Sequence, residues 1–116
     1  MTELQDVVQP ENFSELAELH EMASHACDLL KAMSNEWRLM ILCHLSEGEK
    51  TVGELQSLLG LSQSAVSQHL AILRREKMVH PRKQAQSVSY SLAGNEATVV
   101  MSTLHDLFCG NKCSKD

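Results

Sequence analysis

A chain of 116 residues has room for one domain, and a domain this small buries a modest core, so pairing with a second copy is a natural way to cover leftover apolar surface. Its composition, 43% hydrophobic but only 3% aromatic, with no apolar run near the roughly 20 residues that span a bilayer, argues for a globular helical protein and against disordered, fibrous and membrane classes. The net charge of −5 speaks against nucleic acid only until its distribution is read: residues 1–28 hold seven acids and no Lys or Arg, leaving ten bases against eight acids over 29–116. Five of those bases (Arg74, Arg75, Lys77, Arg82, Lys83) are close together in sequence, and a local basic patch rather than the total decides phosphate affinity.

Residues 1–11, acidic and interrupted by Pro10, read as a disordered N-terminal segment, 12–110 as one folded domain and 111–116 as a flexible tail. Asn12 with Glu15 offers a capping box, and Leu16, Leu19, Met22, Ala26, Leu29 and Met33 recur at helical spacing, predicting a first helix over about 13–33. Ser34 or Asn35 can cap a second helix that runs to about Leu45 and ends at Glu47-Gly48-Glu49. Thr51-Val52-Gly53-Glu54 is a further capping box, opening a short third helix with Leu55, Leu58 and Leu59 inside and Gly60 as its stop. Ser62 caps a fourth, so the order is helix, three-residue turn, helix, which is helix-turn-helix spacing. Beyond it Val88, Tyr90 and Leu92 alternate with Ser87, Ser89 and Ser91, the period of a strand half buried on one face. Met78–Arg82 is the expected hairpin partner, with Pro81 confining that strand to an edge or an end and Lys83-Gln84-Ala85-Gln86 as the tip. From Asn95 a last helix carries Val99, Val100, Leu104, Leu107 and Phe108 to about Cys109. The expected fold class is mainly α, five helices with a small β-hairpin wing between the fourth and fifth.

The fourth helix, SQSAVSQHLAILRREK, sorts cleanly at 100° per residue: Val66, Leu70 and Leu73 fall on one side and Ser64, Ser67, Gln68, Ala71 and Arg75 on the other. Gln bonds adenine bidentately, Ser serves a base or a phosphate, and Ala meets a thymine methyl, so the polar stripe suits a major groove. A helix N-terminus at Ser62–Ser64 also points amides at a phosphate. Any exposed helix face is polar, but a merely solvated one usually mixes Glu with Lys, and residues 62–75 contain no acid. The candidate DNA contacts are therefore Ser62, Gln63, Ser64, Ser67, Gln68, His69, Arg74 and Arg75 on the helix, with Arg82, Lys83 and Gln86 on the wing.

The series LLKAMSNEWRLMILCHL, TVGELQSLLGLSQSAVSQHLAILRREKMV and RKQAQSVSYSL, over residues 29–92, resembles the ArsR/SmtB family of bacterial winged helix-turn-helix repressors. The resemblance implies a non-enzymatic homodimer joined through the first and last helices. Its two recognition helices enter successive major grooves of an inverted-repeat operator, roughly 34 Å apart. Family members that bind soft metals resemble C-x-C in the third helix, where this chain has Thr51-Val52-Gly53-Glu54; zinc-sensing members carry paired histidines on the last helix, where Gly94 and Phe108 stand instead. No metal or other cofactor is expected at either place.

With neither an export signal nor a basic n-region in MTELQDVVQPE, the expected location is the cytoplasm, and the four cysteines (Cys27, Cys43, Cys109, Cys113) are expected as thiols, ligands or redox sensors rather than disulfides. A lone buried Cys is more often a small packing residue than a reactive one. The segments ILCHL and LHDLFC, however, resemble the persulfide-responsive branch of the same family, which implies redox sensing by Cys43 and Cys109 and reactive sulfur species as inducer. The alternative is a soft metal or metalloid held by Cys43, Cys109 and Cys113.

Overall fold

A computed structural model of the chain describes residues 13–109, in which five helices and three short strands follow one another as α1 (Phe13–Met33), α2 (Glu36–Leu45), β1 (Lys50–Thr51), α3 (Val52–Leu59), α4 (Gln63–Arg75), β2 (Val79–Gln84), β3 (Ser87–Leu92) and α5 (Gly94–Phe108). The segments 1–11 and 111–116, expected as disordered ends, and the Asn12 cap lie outside the described residues. The chain divides into two compact units, Met1–Lys31 and Ala32–Asp116. Within the first, α1 presents Leu16, Met22 and Leu30 to the surface, with Met22 62% exposed.

In the second unit the helix boundaries follow from caps written in the sequence. The Asn35 side chain accepts the Arg38 N–H at the start of α2. Thr51 and Glu54 bond each other's backbone amides in a complete capping box, and Gly60 closes α3 in the left-handed region at φ 70°. The Ser62 Oγ accepts the Ala65 N–H at 3.1 Å and starts α4. At its far end the Met78 N–H reaches the Leu73 carbonyl and the Lys77 N–H that of Arg74, both at 2.9 Å, which is a Schellman motif. Lys77 holds the position, at φ 60°, where glycine is usual.

Ile41, Leu42, Leu55, Val66, Leu70, Leu73 and Met78 are fully buried and form the centre of the core. Each such side chain contributes about 1.5–3 kcal/mol by leaving water. Val66, Leu70 and Leu73 are the row assigned to the core by periodicity, so α4 is held by one face and offers the other. Leu58, expected inside, is 48% exposed. Leu55 and Leu59, one turn apart, fill the core-facing row of the eight-residue α3, and Leu58 lies about 100° around the axis from Leu59.

The wing differs from expectation in three respects. First, it has a third strand: β1 pairs with β3 (Lys50 opposite Tyr90, Thr51 opposite Ser89), giving the antiparallel order β1-β3-β2. Second, β2 runs to Gln84 and β3 begins at Ser87, so Lys83 and Gln84 belong to the ladder and only Ala85 and Gln86 turn, Ala85 at φ 54°. Third, burial on β3 does not alternate as a one-faced strand would: Val88, Tyr90, Ser91 and Leu92 are all half-buried, and Ser89 is its most covered residue, at 6% exposure. Pro81 does sit on the edge strand, where its missing N–H breaks no ladder bond.

Candidate nucleic-acid interface and thiol cavity

Of the residues assigned to DNA on α4 and its cap, Ser62, Gln63, Ser64, Ser67, Gln68, Arg74 and Arg75 are exposed, as is Ala71. The stripe is continuous because Ser64, Ser67, Gln68, Ala71 and Arg75 recur at three and four residues on the side away from Val66, Leu70 and Leu73, with Gln63 and Arg74 on its flank. Gln68 donates from Nε2 to the Ser64 Oγ at 3.4 Å, one turn earlier, which orients its amide along the stripe. The Arg75 Nε lies 3.9 Å from the Glu76 carboxylate.

His69 is placed differently from its neighbours on the helix. It is half-buried, its Nδ1 is covered and without a hydrogen-bond partner, and Arg38 of α2 stands nearby. Desolvation, and then the charge of Arg38, hold its imidazole below the usual histidine pKa, so it is neutral at pH 7. Arg38 itself donates from Nε to the Ala32 carbonyl at 2.6 Å, tying α2 to the end of α1.

On the wing Arg82, Lys83 and Gln86 are exposed. Arg82 is also engaged within the protein. Its Nε and Nη2 donate to the two carboxylate oxygens of Glu49 at 2.9 and 2.5 Å, a bidentate fork between residues 33 apart in sequence. The hydrogen bond lowers the Glu49 pKa and raises that of Arg82, so both are charged.

Away from this surface, α2 and α5 flank a largely apolar, half-open cavity of about 250 Å³ lined by Leu39 and Cys43 from one helix, by Met101, Leu104, His105 and Phe108 from the other, and by Cys109 at its end. Leu39 and Cys43 are one turn apart, and Met101, Leu104, His105, Phe108 and Cys109 recur at three and four residues, so each helix turns one stripe to the cavity. The two cysteines picked out by sequence are thus brought to one place, although 66 residues separate them. Both are free thiols, Cys43 exposed on its outer side and Cys109 half-buried. Burial pushes the Cys43 thiol pKa up, and the Cys109 thiol and the Glu47 carboxylate add to the rise. Cys27 is exposed on α1 in the other unit, and Cys113 lies outside the described residues. Among the described residues no three His, Cys, Asp or Glu side chains group to hold a metal ion, and no helix is long and apolar enough to cross a membrane.

The sequence singles out the two thiols and, on α5, Leu104, His105 and Phe108 near them, but not the cavity that they line together with Leu39 and Met101, nor Glu49 as the partner of Arg82, nor Arg38 as the charge beside His69. The cavity walls left a signal in the i, i+4 pair Leu39/Cys43 and the stripe Met101 to Cys109. Glu49 left none, because its pairing depends on the strand register.

Residues 35–80, from the cap of α2 to the start of the wing, match the model of a bacterial regulatory protein family, the arsR family. The transcriptional activator HlyU of Vibrio cholerae is 52% identical over 81% of this chain and 87% of its own length. A solved structure of that protein in its reduced form superposes with a TM-score of 0.76, covering 79% of this chain and 97% of that one. The biofilm growth-associated repressor of Xylella fastidiosa is 32% identical over 97% of this chain and 96% of its length, and the crystal structure of the Xylella repressor BigR has a TM-score of 0.72 at 34% identity over 80% of this chain and 95% of that one. Regulators of this family bind DNA, generally as dimers, and are not enzymes. The chain is a winged-helix transcription regulator and belongs to the arsR family of bacterial regulatory proteins.

Proposed function

We propose that this regulator is a dithiol-switched repressor that binds an inverted-repeat operator as a cytoplasmic homodimer and lets go when Cys43 and Cys109 react with persulfides or polysulfides. The observation that carries the reading is that these two thiols, from different helices, line one apolar cavity. In the dimer α4 lies in the major groove with Ser64, Ser67 and Gln68 toward the bases, while Arg74, Arg75, Arg82 and Lys83 meet phosphates. The apolar surfaces of α1 (Met22, Leu30) and α5 (Val99, Leu107) support pairing through those helices, since each is about half exposed or more in the single chain.

The chemistry requires two thiols because one accepts sulfur and the other resolves. A Cys43 thiolate attacks the outer sulfur of a persulfide RSSH, forming Cys43–S–SH and releasing RS⁻. The Cys109 thiolate then attacks the Cys43 sulfur, closing a disulfide and expelling hydrosulfide. If Cys109 also carries a sulfane sulfur, its terminal atom attacks instead and a trisulfide closes with the same leaving group. A two-sulfur bridge requires Cα atoms within about 7 Å, whereas a longer chain tolerates wider spacing. Joining the end of α5 to the last turn of α2 would alter the helix that pairs the protomers, and so the spacing of the two α4 helices. That a relative was solved in a form named as reduced supports redox state as a variable in this family.

The test is anaerobic operator titration of wild type, Cys43→Ser and Cys109→Ser, with and without a persulfide donor. The donor weakens wild-type binding and leaves both variants bound. Release of either variant by the donor would reject the two-thiol reading, and release of the wild type by stoichiometric zinc, copper(I) or arsenite under reduction would favour metal sensing.

A further inference from the structure

The wing arginine is not idle in the free protein. Arg82 on the edge strand β2 reaches across the sheet to Glu49, the residue just before β1 on the opposite edge. In the register Arg82 and Thr51 lie opposite Ser89 of the central strand, its buried residue, and Glu49 stands two residues before Thr51, so the fork spans β3 from the Ser89 level. A planar guanidinium presents the same two parallel N–H donors to a carboxylate as to a phosphate, so the two acceptors compete for one set of donors. Both partners are well exposed, with side-chain exposures of 53% and 33%, and ion pairs in water are held weakly enough to exchange.

We infer that Glu49 occupies the phosphate-binding donors of Arg82 in the free protein and must be displaced when the wing meets DNA, which makes Glu49 an affinity-setting residue for the operator. This rests on Arg82 contacting phosphate, as proposed above. The pair cancels a charge at the wing in the unbound dimer and so lowers attraction to DNA of any sequence. On docking, Arg82 exchanges one bidentate anion for another, and its net contribution is the difference between the two.

The experiment is operator binding across a salt series for wild type, Glu49→Gln, Arg82→Gln and the double variant, with Glu47→Gln as a control for loss of a nearby acid. Glu49→Gln is expected to tighten binding about twofold to fivefold, the range of an exposed ion pair. With one arginine released per protomer, it steepens the salt dependence by up to about 1.8 in slope for a dimer. Arg82→Gln weakens binding and flattens the slope, and adding Glu49→Gln to it changes nothing further. Unchanged or weaker binding by Glu49→Gln, or equal tightening by Glu49→Gln with and without Arg82 or by Glu47→Gln, overturns the inference while leaving the Arg82 contact standing. No effect of Arg82→Gln removes the DNA contact itself, and the inference with it.

Discussion

Ser62 is assigned two roles, cap of the recognition helix and donor of its first turn to a phosphate, and one substitution separates them. Its Oγ accepts the Ala65 N–H at 3.1 Å, the only side-chain cap α4 has among the described contacts. Ser62→Ala leaves that amide to water and costs about 1 kcal/mol of folding stability. For a chain of this length that lowers Tm by about 4 °C. Ser62→Asp replaces the cap with an equally good acceptor and adds a negative charge that favours the helix N-terminus, so its Tm returns to the wild-type value or above. On DNA the order reverses. The Asp places a like charge against each of two phosphates in the dimer, and even a fraction of the several kcal/mol that such juxtaposition can cost weakens operator binding by about tenfold or more. Thermal melting of the free protein and operator titration at fixed salt measure the two separately. If Ser62→Asp melts at the Ser62→Ala temperature, or binds operator as wild type does, the double role is wrong.

Lys77→Gly relieves a left-handed lysine at φ 60° and should raise stability by about 1 kcal/mol in urea unfolding; an unchanged midpoint would mean that the Schellman turn carries no strain. His69 has a folded pKa below its unfolded value near 6.5, so its contribution to stability is complete above that value and is lost as pH falls through the folded pKa. His69→Gln should therefore show a smaller loss of Tm between pH 7.5 and 5 than wild type, and parallel profiles would contradict this. Because burial raises the Cys43 pKa, alkylation of Cys43 in Cys27→Ser/Cys109→Ser/Cys113→Ser protein should reach half its maximal rate above the ordinary thiol range, about 8.5 to 9. Removing Cys109 takes away only the second cause, so a midpoint at or below that range would remove the desolvated cavity.

What local chemistry determines could be read directly from the residues. Asn35, the Thr51/Glu54 box, Gly60 and Ser62 fixed helix limits because caps act over three or four positions, and the Val66/Leu70/Leu73 row told which side of α4 faces inward. Long-range pairing could not be read in this way. Lys50-Thr51 is too short to show alternation and becomes a strand only because Ser89 and Tyr90, some forty positions later, offer it an edge. The fork between Arg82 and Glu49 follows from that same pairing, and Leu58 faces water because an eight-residue helix buries little more than one row. His69 sits on the DNA helix in sequence, yet its Nδ1 is covered and the charge of Arg38 on α2 acts on it, which no pattern within α4 announces. The two thiols could be singled out by resemblance, but their meeting depends on how α2 and α5 pack.

The most direct test of the dithiol account is peptide mass spectrometry of the reduced protein after treatment with a persulfide donor, on dimers reassembled from equal amounts of ¹⁴N- and ¹⁵N-labelled chains. The account predicts one cross-linked species, the Cys43 peptide joined to the Cys109 peptide through two or more sulfur atoms. It should be all-light or all-heavy, since both helices of the cavity come from one chain. Mixed-isotope links, or operator release while Cys43 and Cys109 remain unjoined, would contradict it.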